Sequence, residues 1–152
     1  MSAQSVPVAG AASLVSELVK VLVANKAYLS EIDGAIGDGD HGINMAKGFA
    51  AAGAKLDPMP SLKPALNTLG ETLMEDVGGS MGPLYGQFFL SMADAVNDSA
   101  AVDAKVFGAM LGAAQAAIEE LGSAKVGDKT LLDTLVPARR AFDQAVAAGQ
   151  PF

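Results

Sequence analysis

Apolar residues recur along this chain at the three- and four-residue intervals that place side chains on one face of an α-helix. The first run predicts a helix over residues 13–30, with apolar positions at Val15, Leu18, Val19 and Leu22. The same periodicity predicts further helices over residues 43–54, 61–77, 84–96, 101–121 and 130–148. No segment combines strand alternation with turn residues, so we predict an all-α fold without a sheet. About six helices joined by short loops indicate an antiparallel up-and-down bundle or helical barrel.

Residues near the helix ends support these boundaries. Ser61 is a favourable N-cap, and Pro83 suits the first turn of the helix after it. Gly122 is expected to end its helix in the left-handed conformation, because glycine adopts positive φ without steric cost. Pro137 should kink the last helix.

The chain length of 152 residues suits one domain. We predict a flexible N-terminal tail over residues 1–12 and one helical domain over residues 13–152. Residues 1–10 carry no basic residue, and the apolar stretch 18–23 is interrupted by Lys20 and is too short to cross a bilayer. We therefore expect a cytoplasmic protein that neither spans nor binds a membrane.

Composition excludes several classes of function. The absence of cysteine excludes disulfides, thiolate zinc sites and cysteine nucleophiles. Seventeen acidic residues against ten lysines and arginines give a net charge of −7, which argues against direct binding of nucleic acid or anionic membranes.

A glycine-rich loop over residues 33–42 concentrates negative charge. Asp33, Asp38 and Asp40 lie within eight residues, so their carboxylates repel one another unless a cation neutralises them. Hard divalent cations take oxygen ligands, and Mg²⁺ commonly bridges to substrate phosphates. The next helix begins near His41, and the free N–H groups at its N-terminus would attract a phosphate.

Simpler interpretations of this loop stay open. Asp40 could be only an N-cap, and the other two carboxylates could be solvated loop charges. An EF-hand does not fit, because the twelfth position counted from Asp38 is Phe49 rather than a bidentate glutamate.

Three segments together resemble the nucleotide-binding L subunit of dihydroxyacetone kinase, the DhaL family. Residues 33–45 read DGAIGDGDHGINM, residues 78–86 read GGSMGPLYG, and residues 127–130 read GDKT. The segments occur in the family's order, and the resemblance extends from about Ser13 to the end of the chain.

The resemblance implies a helical barrel with a nucleotide, ADP or ATP, at one rim. Asp33, Asp38 and Asp40 would then ligate two Mg²⁺ ions that bridge to the phosphates. The implied nucleotide-binding residues are His41, Gly42, Ile43, Asn44, Gly79, Ser80, Met81, Gly122, Thr130 and Leu131. Gly122 and Leu131 would lie near the base or ribose, whereas Thr130 could equally be a simple helix cap.

The residue sequence of the first segment is similar to that of the phosphotransferase-linked branch of the family. In that branch a phosphohistidine protein, the M subunit, passes a phosphoryl group from phosphoenolpyruvate to the bound ADP. The phosphoryl group then reaches dihydroxyacetone, which a histidine of the K subunit holds covalently, so His41 does not have that role.

The family domain continues beyond the position of Phe152 with further helices and a basic, glycine-rich lid. Without these segments, we expect the 152-residue chain to bind ADP weakly and to self-associate through uncovered apolar faces.

Three other interpretations remain. A nucleotide-loaded regulatory module that binds a transcription factor would share these motifs. A fatty-acid kinase nucleotide domain has a similar acidic motif but usually carries threonine at the position of His41. The chain could also be a fragment with no remaining ligand site.

Overall fold

The computed structural model describes residues 5–57 and 59–152. Its helices are α1 Ala12–Ala24, α2 Lys26–Gly34, α3 His41–Lys55, α4 Leu62–Asp76, α5 Met81–Val96, α6 Ala104–Leu121 and α7 Leu132–Ala147. Two short strands, β1 Ser5–Pro7 and β2 Ala101–Asp103, form the only sheet within the described ranges. The predicted all-α fold is therefore confirmed, with seven helices rather than six in this part of the chain.

Helices that follow one another along the chain pack side by side. α5 lies between α4 and α6, α3 contacts both α2 and α4, and α1 packs against α3 and α4. The largest fully buried side chains of the core are those of Phe49, Leu69, Leu73, Leu132, Val96 and Thr72. Each fully buried large apolar side chain contributes about 1.5–3 kcal/mol relative to an exposed one, so this core is the main source of stability.

Glycines allow α4 and α5 to pack closely against each other. A Cβ atom on Gly86 would lie 2.8 Å from the carbonyl oxygen of Gly70, too close for any side chain. A Cβ atom on Gly82 would overlap the carbonyl of Val77, which precedes the turn into α5. These contacts fix the N-terminus of α5 against the end of α4.

The single helix predicted over residues 13–30 is wrong, because the chain divides it at Asn25 into α1 and α2. The Asn25 side-chain Nδ2 donates a hydrogen bond of 2.8 Å to the carbonyl of Val21, and its backbone has φ −94° and ψ 11°. Asparagine side chains compete in this way for the helix's own carbonyls. The break turns α2 so that it packs against α3.

The expected absence of a sheet is also wrong for a small region. β1 pairs antiparallel with β2 in the register Ser5↔Asp103, Val6↔Val102 and Pro7↔Ala101. Strands of three residues are too short for an alternation signal, and their pairing depends on contacts that are distant in sequence. The Asp103 side chain then accepts a 2.8 Å hydrogen bond from the N–H of Val106, so α6 begins at Ala104 rather than at 101.

Residues 5–12 were expected to be part of a flexible tail but pair and pack instead. The N–H of Gly10 donates to the carbonyl of Pro60 at 2.8 Å, and Ala11 and Ala12 are buried in the core. The expectation for residues 1–4 lies outside the described residues.

The predicted helix ends hold only in part. Gly122 follows α6 in an extended conformation, with φ −156°, not in the left-handed region. Ser61 occupies the N-cap position of α4 but its side chain makes no capping hydrogen bond. Pro83 lies in the first turn of α5, and Pro137 lies inside α7.

No helix in residues 5–57 and 59–152 combines the length and hydropathy that a bilayer crossing requires.

Candidate metal and nucleotide site

The three aspartates of the acidic loop converge in the structure. Asp33 lies near the end of α2, whereas Asp38 and Asp40 lie in the connection to α3. One carboxylate oxygen from each residue lies within 4.8 Å of the other two, with Asp33 half-buried and the other two exposed. One divalent cation, with water completing its shell, can contact oxygens at such separations.

The backbone of the loop explains this convergence. The carbonyl of Asp33 accepts hydrogen bonds from the N–H groups of Ile36 at 3.2 Å and Gly37 at 2.6 Å, so the chain turns back at once. Gly39 then has φ +78°, a conformation that side-chain-bearing residues rarely adopt. The N–H of Asp40 donates to Asp38 Oδ1 at 3.4 Å, which brings these two residues together.

The start of α3 points into the same cluster. The N–H of His41 donates to Asp33 Oδ2 at 3.3 Å, whereas Asp40 occupies the N-cap position without a side-chain capping bond. The Asp40 carboxylate is therefore not used by the helix and contributes to the cluster instead. The donor set consists of carboxylate oxygens, which fits Mg²⁺ and does not suit a soft metal.

Gly42 allows α2 and α3 to meet beside this cluster. A side chain at this position would overlap the carbonyl of Lys26 and lie 2.6 Å from the Ser30 hydroxyl oxygen. Ile43 is exposed and Asn44 is half-buried. The first-turn N–H groups of α3 are thus held next to the carboxylates by close backbone packing.

A second group of predicted residues lines a pocket of about 290 Å³ between α5, α6 and the α6–α7 connection. The predicted residues in its wall are Ser80, Gly122, Thr130 and Leu131, which the fold brings together from three segments. Pro83, Leu84, Ile118, Leu121 and Ala124 complete the wall and were not predicted. The lining is mostly apolar, as expected for a pocket that takes a flat base or a ribose edge.

The turn before α5 presents Ser80 to this pocket. Gly79 has φ +67°, and Ser80 follows it at the N-cap position of α5 without a side-chain capping bond. Met81, also predicted to bind the nucleotide, packs its side chain against the core. Only its backbone N–H, at the start of α5, is placed to contribute to an anion site.

Asp133 organises the α6–α7 connection and was missed by the sequence analysis. Its carboxylate accepts hydrogen bonds of 2.7 Å from the N–H groups of Thr130 and Gly127, and these bonds lower its pKa below the ordinary value of 3.8. In return, the hydroxyl of Thr130 accepts a 3.3 Å bond from the N–H of Leu132. This reciprocal pattern resembles a capping box, and the Thr-x-x-Asp spacing was visible in the sequence.

A further cavity, of about 240 Å³, is lined by one predicted residue from each group. His41 and Leu131 both line it, and Leu131 also belongs to the wall of the second pocket. The ring of Tyr85 lies 6.3 Å from the ring of His41 at an angle of 58°, a tilted aromatic contact. Burial raises the pKa of Tyr85 above 10.0. Tyr85 was also missed, because nothing in the sequence shows that α5 faces the start of α3.

Comparison with protein families gives a match to the DAK2 domain over residues 35–152. The chain belongs to the DAK2-domain family. The match includes Asp38, Asp40 and every predicted nucleotide-binding residue, while Asp33 lies two residues before it.

Individual DAK2-family relatives agree with the resemblance to DhaL subunits. The chain is 42% identical over 123 residues to the ADP-binding subunit DhaL of PEP-dependent dihydroxyacetone kinase 1 from Listeria innocua, covering 79% of this chain and 61% of that protein. It is 34% identical over 120 residues to the corresponding ADP-binding subunit of Escherichia coli, covering 78% and 57% of the two chains. It is also 32% identical over 133 residues to an L-erythrulose kinase of Pectobacterium atrosepticum, covering 85% and 22%. The chain thus spans 61% or less of the length of these relatives.

Proposed function

We propose that this DAK2-family chain binds ADP or ATP with two Mg²⁺ ions and acts as the nucleotide-carrying subunit of a dihydroxyacetone kinase. The observation that carries the proposal is the convergence of Asp33, Asp38 and Asp40 at the N-terminus of α3. The names of the Listeria innocua and Escherichia coli relatives, which describe ADP-binding subunits, support the nucleotide.

The two parts of the site would divide the nucleotide between them. The carboxylates would hold the cations. The free first-turn N–H groups of Gly42 and Ile43, and the turn at Gly79–Met81, would donate to phosphate oxygens. The pocket that Gly122 and Leu131 line would take the base and ribose. His41 lies where the two parts meet, since its N–H contacts Asp33 and its ring lines the cavity shared with Leu131.

This chain would not need to form a covalent intermediate, because phosphoryl transfer depends on positioning and charge stabilisation rather than on covalent protein chemistry. Bound Mg²⁺ would neutralise negative charge that develops on the transferring phosphoryl group. The chain's own part is to hold the phosphates in line: helix N-termini aim fixed N–H groups at them, and the pocket wall holds the nucleoside.

The donor and the acceptor would be carried by other subunits. We infer that a phosphohistidine M subunit, charged from phosphoenolpyruvate, recharges the ADP, and that a K subunit presents dihydroxyacetone. The phrase PEP-dependent dihydroxyacetone kinase in the names of the bacterial relatives supports this assignment.

Titration calorimetry with ADP, in the presence and absence of Mg²⁺, tests the proposal. We expect metal-dependent binding by the wild-type chain and about a tenfold or larger loss in Asp38→Asn and Asp40→Asn, the scale typical for groups that organise a metal site. Asp98→Asn, which removes an exposed carboxylate after α5, is the charge-matched control and should bind like wild type. Metal-independent binding, or equal affinity in all four proteins, would refute the proposed site.

A further inference from the structure

The α6–α7 connection, residues 122–131, supplies much of the wall of the second pocket. Four pocket residues, Gly122, Ala124, Thr130 and Leu131, belong to it. Apart from Ala124 and Leu131, which are half-buried, the connection is exposed, so packing contributes little to its conformation.

This connection also contains unfavourable backbone geometry. Lys129 has φ +59° although it is not glycine, whereas the φ of +106° at Gly127 costs little because glycine has no Cβ. Backbone conformations of this kind persist only where surrounding interactions hold them. Because the connection is exposed, hydrogen bonds are the interactions available to do so.

Asp133 makes the longest-range of these hydrogen bonds. It lies in the first turn of α7 and does not line the pocket. Its carboxylate accepts hydrogen bonds of 2.7 Å from the N–H groups of Gly127 and Thr130. The bonds reach three and six residues back along the chain, so one carboxylate closes the segment that contains the strained Lys129. Asp128 makes only one comparable bond, at 3.0 Å to the N–H of Lys125.

We propose that Asp133 is a positioning residue that fixes the α6–α7 connection as the nucleoside-side wall of the site. This inference rests on the proposed nucleotide function. It assigns Asp133 to one half of the site only, because the metal and phosphate half is built from the α2–α3 connection, which Asp133 does not contact through any hydrogen bond in the described residues.

A comparison of two ligands separates the halves. Mg²⁺ with pyrophosphate probes the carboxylates and helix N-termini alone, whereas Mg²⁺ with ADP also probes the pocket. In Asp133→Ala we expect ADP affinity to fall about tenfold while pyrophosphate affinity stays within about twofold of wild type, as for a residue that acts by orienting others. Asp133→Asn, whose amide oxygen still accepts hydrogen bonds, should recover much of the ADP affinity.

Asp143→Ala is the matched control. Asp143 lies on the same helix and is exposed, with its Oδ2 3.7 Å from Arg139 Nε, so its removal changes the net charge equally without touching the connection. This variant should bind both ligands as wild type does.

Amide hydrogen exchange provides a readout that does not depend on the nucleotide. The N–H groups of Gly127 and Thr130 should exchange faster in Asp133→Ala than in wild type, since their acceptor is gone. Unchanged exchange, unchanged ADP affinity, or an equal loss of ADP and pyrophosphate binding would each overturn the positioning role. Failure of the wild-type chain to bind ADP while these two amides still lose protection in the variant would instead refute the proposed function.

Discussion

Replacing Asp38 by asparagine should stabilise the metal-free protein and remove its response to Mg²⁺. The carboxylates of Asp33, Asp38 and Asp40 lie within 4.8 Å of one another, and without a cation they repel. Asparagine keeps an oxygen that can accept the N–H of Asp40, so the loop geometry has no reason to change. The substitution therefore isolates the electrostatic cost of assembling the site.

The size of this cost follows from the geometry. At 4.8 Å in water, each pair of unit charges repels by about 0.9 kcal/mol, and Asp38 takes part in two such pairs. Screening at 0.15 M salt, where the Debye length is about 8 Å, reduces the total to about 1 kcal/mol. For a chain of this size, such a gain raises the melting temperature by about 2–4 °C. The dielectric constant of water is appropriate because Asp38 and Asp40 are exposed.

Thermal and urea unfolding with a chelator present would measure the gain, with Asp98→Asn as the control for removing one negative charge. In 1 M salt the Debye length is about 3 Å, so the advantage of Asp38→Asn should fall to about 0.3 kcal/mol. Saturating Mg²⁺ should reverse the order, because a cation that binds only the native state stabilises wild type by mass action. If the variant is no more stable at low salt, or if its gain persists unchanged in 1 M salt, mutual repulsion is not the cause.

Three further substitutions test other parts of the structure. Hydrogen bonds from Thr130 and Gly127 lower the pKa of Asp133, so its carboxylate stabilises the folded state above about pH 3.8, and this stabilisation is lost as pH falls below that value. In unfolding measured across this pH range, Asp133→Asn should be less stable than wild type at neutral pH and should converge with it in acid. A difference that stays constant with pH would contradict this. Gly42→Ala should lower the free energy of unfolding in urea by about 1–3 kcal/mol and weaken ADP binding, because the methyl group overlaps the α2 backbone. A variant with the unfolding free energy and the ADP affinity of wild type would show that α2 moves freely. Phe49→Ala, at a side chain only 1% exposed, should cost about 3–5 kcal/mol in the same assay, and a loss below 1 kcal/mol would contradict its place in the core.

The helices were predictable where apolar periodicity extends over three or more turns. α3, α4 and α6 appear close to the predicted ranges because their buried faces recur at helical spacing. The division at Asn25 was not predictable from periodicity, since the apolar pattern continues across it and a local side-chain bond decides the break. The strands escaped detection because their partners are nearly 100 residues apart.

The two halves of the candidate site also differed in how far local sequence patterns could predict them. The carboxylates are close in sequence, so repulsion and ligand chemistry indicated a cation site without knowledge of the fold. The grouping of Ser80, Gly122 and Leu131 came only from the family resemblance, because no local pattern relates segments about 40 residues apart. Tyr85 was missed because its importance lies in what it contacts, the ring of His41, rather than in its own chemistry.

The order of the helices explains why these distant segments meet. Connections in an up-and-down arrangement alternate between the two ends, so those between α2 and α3, α4 and α5, and α6 and α7 belong to one end. At the other end, backbone hydrogen bonds link the N-terminal segment to the connections that precede α4 and α6. The N–H of Val8 donates to the carbonyl of Ala100 before α6, and the carbonyl of Val8 accepts from the N–H of Leu62 at the start of α4. The N-terminal segment thus closes the opposite end with backbone hydrogen bonds, including those that pair β1 with β2. Because that end and the buried core hold the helices together, the connections at the first end can carry mutually repelling carboxylates and the positive φ of Lys129, both of which would be costly if the fold depended on them.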